Sequence, residues 1–276
     1  MNVMNHERLE NQCKVCFSKN CTENLFKEKN CVVCKKCDAI YSVNPIIHKK
    51  RVNQESEILG DIIKKMGIKI ISGRYRDIIA EQYIEYLKKK TMFKFNHVLD
   101  VGAHFGNLVK KFNENGIVAE GLEASDEYKK FTVTDKITYG YFDENFLVGK
   151  KYDLISFTNM LYYLKNPIST LEYAKKCLTE SGMIFISTYN TNSTIFRQND
   201  KFFEPSYNIV QSRKNFETIN DFKLIDYTTY DSEMITDAVN KTNYSNILKN
   251  YFKFYFKKSF KENDNGHQAF ILLKPA

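Results

Sequence analysis

Dense positive charge is missing from this sequence. Its net charge is +8, but only six of the 41 basic residues are arginine. No basic run exceeds Lys88-Lys89-Lys90, and the other lysines are scattered among Asn, Ile and Tyr. That pattern reads as an ordinary solvated surface and argues against a nucleic-acid partner. Long apolar runs are missing as well. No stretch approaches the roughly 20 residues that cross a bilayer, so no membrane contact is expected. Met1 to Glu10 is polar and lacks the apolar core of a secretion signal. The expected location is the cytoplasm, where thiols stay reduced. The seven cysteines therefore read as metal ligands or free thiols before they read as disulfides. Internal repeats and low-complexity tracts are also absent.

What the chain does carry is a hydrophobic share of 43%, ample for a packed core. Six cysteines crowd between Cys13 and Cys37, which sets a module boundary near Asn44-Pro45. Residues 1–47 are expected to form a small cysteine module, 48–94 a helical linker or cap, and 95–276 the main domain. Between His48 and Lys90, Ile58, Ile62, Ile63, Ile78, Ile79, Tyr83, Ile84 and Leu87 recur at helical spacing. Gly67 and Ser72-Gly73 predict a break between two helices, with Ser72 as a cap.

From Asn96 onward, short apolar runs alternate with helical patterns. Strands are predicted at Val98 to Val101, Ile117 to Leu122, Ile137 to Phe142, Tyr152 to Phe157 and Met183 to Thr188. The helices between them start at Leu108 and Ile168, with a short polar one at Asp126 to Phe131. Such alternation implies a doubly wound α/β fold with a mostly parallel sheet. Phe216 to Ile219 and Tyr244 to Phe260 read as helices. Phe222 to Tyr230 and Gln268 to Lys274 read as the last two of seven strands, an antiparallel tail.

The strongest chemical signal is Val98-Leu99-Asp100-Val101-Gly102-Ala103-His104-Phe105-Gly106-Asn107-Leu108. Gly102 and Gly106 allow a tight turn and leave room for a ligand against the backbone. The Gly-x-Gly-x-x-Gly of a dinucleotide site is lacking, because residue 104 is His and residue 107 is Asn. The next strand ends at Glu123-Ala124-Ser125, placing a carboxylate where it can accept both hydroxyls of a ribose.

Here the sequence resembles the class I S-adenosylmethionine-dependent methyltransferases, with their Rossmann-like fold. Val98 to Gly106 is similar to that family's first motif, and Glu123 falls at the position of its ribose-binding acid. Lys151 to Ser156 with Asn159 to Leu164 resembles the fourth-strand motif, and Cys177 to Ser187 the helix, turn and fifth strand. The resemblance implies that Gly102, Ala103, His104 and Gly106 line the methionine part of S-adenosyl-L-methionine, with Ala124 beside Glu123. It puts Tyr141 and Phe142 around the adenine, and Thr158 and Asn159 at the sulfonium end. Asp100 is expected to orient the loop through backbone N–H groups.

Cys13-x2-Cys16 and Cys34-x2-Cys37 have ribbon spacing, and four thiolates suit a structural, tetrahedral Zn²⁺. Cys31-x2-Cys34 is also a possible pair, and Cys21 a further candidate. The run Cys34 to Tyr41 resembles zinc knuckles that precede small-molecule methyltransferase domains, which favours Cys34 with Cys37. Those knuckles carry glycine after the second cysteine, where φ is positive. Phe17 and Asp38 stand there in this chain, and Phe17 predicts a distorted first knuckle.

Relatives often place Glu-His after the fourth strand, where this chain has Tyr162-Tyr163. Tyr163 and His104 are the candidate catalytic groups; His48, His97 and His267 look remote. Thr188 to Ser212 is expected to form an acceptor lid, with Arg197, Lys201 and Arg213 available to a phosphate and Tyr189 and Tyr207 as walls. The resemblance implies a small-molecule acceptor: a nucleotide-linked sugar, a surface-carbohydrate precursor or another small metabolite. The competing readings are an RNA methyltransferase, disfavoured by the scarce arginine, and a cofactor-binding scaffold without catalysis.

Overall fold

The computed structural model describes residues 12–19, 22–26, 30–43, 71–143, 149–198, 203, 207–232 and 260–276. Three short strands open it: β1 (Thr22–Phe26), β2 (Cys31–Cys34) and β3 (Ile40–Ser42). Helix α1 (Ile71–Lys90) follows, and then the alternating part begins. That part contains β4 (His97–Val101), α2 (Asn107–Glu114), β5 (Val118–Glu123), a 3-10 turn at Asp126–Phe131 and β6 (Ile137–Tyr139). Next come β7 (Tyr152–Thr158), α3 (Pro167–Lys176), β8 (Leu178–Tyr189) and α4 (Thr194–Gln198). The chain closes with β9 (Ile209–Val210), α5 (Arg213–Glu217), β10 (Phe222–Ser232), β11 (Phe260–Glu262) and β12 (Gln268–Pro275). The helix expected at Tyr244 to Phe260 lies outside the described residues, except that Phe260 begins β11.

The main sheet has the order β11-β10-β12-β8-β7-β4-β5-β6. All seven expected strands are present, and three-residue β11 adds an edge. Strands β6, β5, β4, β7 and β8 are mutually parallel. The final two strands pair antiparallel, as expected, and their order in the sheet is reversed. β12 runs against β8, and β10 runs against β12, so β10 shares the common direction. The returning strand is inserted between β8 and β10.

Alternation along the strands sorts side chains to two faces. Leu99, Val101, Ile155, Phe157, Ile184 and Ile186 meet α3 and α5 through Leu171, Ala174 and Phe216. Val98, Leu154, Phe185 and Phe270 meet α1 and α2 through Tyr83, Leu87, Val109 and Phe112. Burial on both faces explains why these strands are continuous apolar runs. Helix α1 is held on its face by more than packing. Tyr86 Oη donates to Asp226 Oδ2 at 2.7 Å, and Lys90 Nζ pairs with Asp226 Oδ1 at 2.7 Å. Ser72 and Gly73 lie inside the first turn of α1 rather than ahead of it; residues 44–70 lie outside the described set. Among the described residues, no helix is long and apolar enough to cross a membrane.

The small N-terminal sheet does not close on itself. Its order is β1-β2-β3-β9, so its fourth strand comes from the segment after β8. Ile40 pairs with Val210, Tyr41 pairs with Ile209, and Ser212 Oγ donates to the Cys37 carbonyl. The cysteine module and this late segment are built as one unit.

Gly106 starts α2 with φ +82°, and a Cβ there would sit 2.7 Å from Thr134 Cγ2 and 3.0 Å from Ile137 Cδ1. Backbone strain and the clash act together. Gly106→Ala is expected to cost about 1–3 kcal/mol, read as a fall of several degrees in the thermal unfolding midpoint.

Candidate active site

The loop between β4 and α2 is tied down from β5. Gly102 N and Ala103 N both donate to the Leu122 carbonyl, at 2.8 and 3.0 Å. Glu123, at the tip of β5, accepts from His104 N at 2.8 Å through Oε2 and from Ser125 N at 2.9 Å through Oε1. Gly102 has φ +75°, and a Cβ would stand 3.0 Å from Met160 Cγ. The backbone-holding role expected of Asp100 thus falls to Glu123. Asp100 is 2% exposed, and its Oδ1 accepts from Ser156 Oγ at 2.6 Å instead.

Burial pushes the Asp100 carboxyl up to about 7; the Ser156 hydrogen bond opposes this, and the nearby Glu123 charge adds to it. A carboxyl raised in the folded state binds its proton more tightly there than when unfolded. Stability therefore falls as pH rises from about 4 towards 7. Asp100→Asn keeps an acceptor for Ser156 and removes the buried charge. Thermal unfolding of this variant is expected to show a gain over the parent at pH 8 that disappears near pH 4.

Above the carboxyl ends of the parallel strands lies a cavity of about 650 Å³. Its lining includes Asp100, Gly102, Ala103, His104, Glu123, Ala124, Tyr141, Phe142, Thr158, Asn159 and Tyr163. Of the residues assigned from sequence to the cofactor, only Gly106 is absent from that lining; its glycine serves the turn and the packing against Thr134 and Ile137. Tyr141 stands at an exposed rim, and Phe142 packs edge-on against Phe157 and Tyr173.

Several lining residues were not legible in the sequence. Arg76, Tyr83, Tyr128, His267 and Gln268 all reach the cavity from distant elements. Asn159, in a left-handed conformation at φ +54°, is fixed by two of them. Its Nδ2 donates to Tyr83 Oη at 3.1 Å, and its Oδ1 accepts from Gln268 Nε2 at 2.9 Å. His267 is far from remote: it lies in the lining, with Nδ1 3.0 Å from Asp231 Oδ1. Only the β10–β12 pairing brings those two together. His97 stays at the amino end of β4, and His48 lies outside the described residues.

His104 is packed between Phe105 and Tyr128, with ring centroids 3.9 and 4.0 Å away. Burial, reinforced by the Arg76 charge, pulls its imidazole down to about 3. A group so reluctant to take a proton is a weak base at neutral pH. Its Nδ1 is buried without a protein partner among the described residues.

The other end of the cavity is aromatic. Tyr162, Tyr163 and Tyr189 line it, and Tyr207 backs them at 4.4 Å from Tyr162 and 5.3 Å from Tyr163. Asn208 Nδ2 donates to the Tyr163 carbonyl at 2.7 Å, pinning this wall to the late segment. The cations expected to face a phosphate are engaged elsewhere. Arg213 pairs with Glu217 at 2.8 Å, and Arg197 Nε donates to the Thr191 carbonyl at 2.5 Å. Lys201 lies outside the described residues.

The sulfurs of Cys13, Cys16, Cys34 and Cys37 all lie within 4.8 Å of one another. The Cys13–Cys37 and Cys16–Cys34 pairs are 3.6 and 3.7 Å apart. Ligands about 2.3 Å from a tetrahedral Zn²⁺ would be about 3.8 Å apart, and a disulfide would need about 2.05 Å. Each knuckle repeats one hydrogen-bond pattern. Phe17 N donates to the Cys13 carbonyl and Asp38 N to the Cys34 carbonyl. Val15 N and Cys16 N donate to Cys13 Sγ, and Cys37 N donates to Cys34 Sγ. Phe17 and Asp38 both take positive φ, 55° and 59°, so the first knuckle is regular and not distorted. Phe17 meets that demand with an exposed ring. Cys31 sits outside the four-sulfur group, buried against Val33 and Ile40, and Cys21 lies outside the described residues.

A family model described as a methyltransferase domain matches residues 71–249. Comparison with curated proteins finds no match. Among solved structures, the chain is similar to a SAM dependent methyltransferase from Archaeoglobus fulgidus at 16% identity and a TM-score of 0.51, over 72% of this chain and 94% of that one. It is also similar to a chain in the complex of the Haloferax volcanii Trm112 methyltransferase activator with a methyltransferase, at 14% identity and a TM-score of 0.52, over 80% and 96%. The plantazolicin methyltransferase BpumL, solved with S-adenosylhomocysteine, aligns at 15% identity and a TM-score of 0.50, over 81% and 93%. At these identities the structural likeness speaks to the fold, whereas the family model spans more than half of the sequence. The chain belongs to the methyltransferase-domain family, as a class I S-adenosylmethionine-dependent methyltransferase.

Proposed function

We propose that this cavity transfers a methyl group to a small molecule in the cytoplasm, a nucleotide-linked sugar or a surface-carbohydrate precursor. The observation that carries the reading is Glu123, latched beneath the glycine loop at one end of a cavity whose other end is a wall of tyrosines. In this reading Glu123 and Ala124 hold the ribose, Tyr141 and Phe142 flank the adenine, and Gly102, Ala103 and His104 take the methionine end. Asp100 holds the loop's floor through Ser156. Gly106 contributes the turn.

When bound, S-adenosylmethionine supplies an electrophilic methyl carbon. The chain's task is then to position the acceptor and exclude water. Thr158 and Asn159 face the sulfonium end, with Asn159 immobilised by Tyr83 and Gln268. Tyr163 presents a hydroxyl and a ring face to the acceptor, and the flanking Tyr162 and Tyr189 offer apolar faces to a sugar ring. Residues 1–47 act as a ribbon holding Zn²⁺ through Cys13, Cys16, Cys34 and Cys37, a closed shell with a structural role. Residues 48–94 cap the sheet, and 95–276 form the catalytic domain.

Incubation with S-adenosylmethionine and a panel of sugar nucleotides and phosphorylated metabolites should yield a product heavier by one CH2. Calorimetric binding of S-adenosylhomocysteine with no product across the panel would remove the acceptor class and leave the cofactor site standing.

A further inference from the structure

A second large concavity lies apart from the cofactor cavity. It is a groove of about 1120 Å³ between the cysteine knuckles, the start of α3 and the residues around α5. Its lining includes Lys36, Lys165, Ile168, Ser169 and Gln211. Nothing in the methyl-transfer reading uses it.

Three features converge there. Helix α3 spans ten residues and begins without a side-chain cap at Asn166; Pro167 occupies its first turn. The N–H groups of Ile168 and Ser169 are therefore left for an external acceptor, at the positive end of the helix dipole. Gln211 is 3% exposed, and both its Nε2 and its Oε1 lack a partner among the described residues. A buried carboxamide with neither bond made costs free energy unless something meets it. The charges complete the picture. Lys14 is spent on the Ser42 and Val43 carbonyls, and Lys214 on Asp38. Glu217 is held by Arg213 and Asp221 by Lys175. Lys36 and Lys165 make no ion pair among the described residues, and one carboxylate, Glu172, lies further along α3.

We propose that this groove binds the phosphate of a hydroxyl-bearing ester. The oxyanion sits at the α3 N-terminus between Lys36 and Lys165. Gln211 Nε2 donates to a phosphate oxygen, and its Oε1 accepts from a hydroxyl. Helix N-termini with free N–H groups suit phosphate for the same electrostatic reason. The strip from Tyr163 to Thr170 separates the two cavities: Tyr163, Leu164 and Thr170 face the cofactor side, and Lys165 to Ser169 face the groove. An occupant of the groove thus abuts the aromatic wall. The inference stands whether or not the cofactor cavity methylates a sugar.

The test is amide and side-chain NMR of the full chain titrated with inorganic phosphate and, separately, with glucose 6-phosphate, at constant ionic strength. Saturable shifts of the Ile168 and Ser169 amides and the Gln211 side-chain NH2 are expected. Lys165→Glu, an exposed position, should weaken that binding about tenfold or more while leaving S-adenosylhomocysteine affinity unchanged. Tighter binding of glucose 6-phosphate than of phosphate identifies an ester as the source. Equal binding identifies the free ion, and supports the site but not the Gln211–hydroxyl contact. Absence of saturable shifts with both probes, or identical shifts in the Lys165→Glu variant, overturns the site.

Discussion

Glu123→Ala is expected to lower the affinity for S-adenosylhomocysteine by about 100-fold, which corresponds to roughly 2.7 kcal/mol. The carboxylate is 7% exposed and holds two backbone N–H groups, those of His104 and Ser125. Removing it leaves two donors without their acceptor and frees the His104 end of the glycine loop, which Gly102 N and Ala103 N then tie to β5 only through the Leu122 carbonyl. It also deletes the group proposed to grip the ribose hydroxyls, and hydrogen bonds to a charged group are worth about 1.5–3 kcal/mol each. Glu123→Gln should fall between the two, because its NH2 would face N–H groups that need an acceptor. Isothermal titration measures the loss, and thermal unfolding of the same samples separates binding from folding. Unchanged affinity in the alanine variant would contradict the placement of the ribose.

Replacing Cys37 with serine, or stripping metal with a chelator, is expected to disorder the acceptor side while sparing the cofactor loop. The four sulfurs are spaced for one ion, and structural zinc sites contribute on the order of 10 kcal/mol to small modules. Losing that much would free β3 from β9. The consequences then follow the packing. Ile40 and Val33 share a cluster with Tyr162, Phe196, Phe203 and Tyr207. The knuckle also anchors α5, through the Cys37 carbonyl to Ser212 and through Asp38 to Lys214 at 2.7 Å. The tyrosine near-ultraviolet circular dichroism should weaken and methyl transfer should fail. Binding of S-adenosylhomocysteine should persist, because Glu123 and the loop lie on the β4–β5 side. Cys31→Ala should keep its metal, since that sulfur is outside the group. A Cys37→Ser protein that retains stoichiometric zinc would defeat the assignment.

The glycine-loop end of the cavity was readable because it is local. Val98 to Leu108 and Glu123 belong to two successive strands, and a short apolar run ending in Gly-x-x-x-Gly restricts the backbone through residues close in sequence. The knuckles were readable for the same reason: each pairs cysteines three residues apart, and only the metal has to join them. The errors came where distance in the chain is long. Glu123 took the backbone-holding role expected of Asp100 because the loop's N–H groups face β5, and Asp100 accepts from Ser156 instead. The antiparallel pairing of the last two strands was expected, but the insertion of β12 between β8 and β10 could not be read from two apolar runs whose order in the sheet depends on which neighbour buries them.

By itself, then, the sequence determined the alternating α/β plan, the glycine turn and the four-thiol spacing, since each follows from covalent proximity and side-chain type. Only the tertiary structure decided that His267 stands by Asp231 at the cavity, that the late segment completes the cysteine module, and that Gln211 is buried in a groove with no partner among the described residues. Those facts depend on contacts between residues tens to hundreds of positions apart. Such contacts are set by which apolar faces bury one another, a choice that no local pattern encodes.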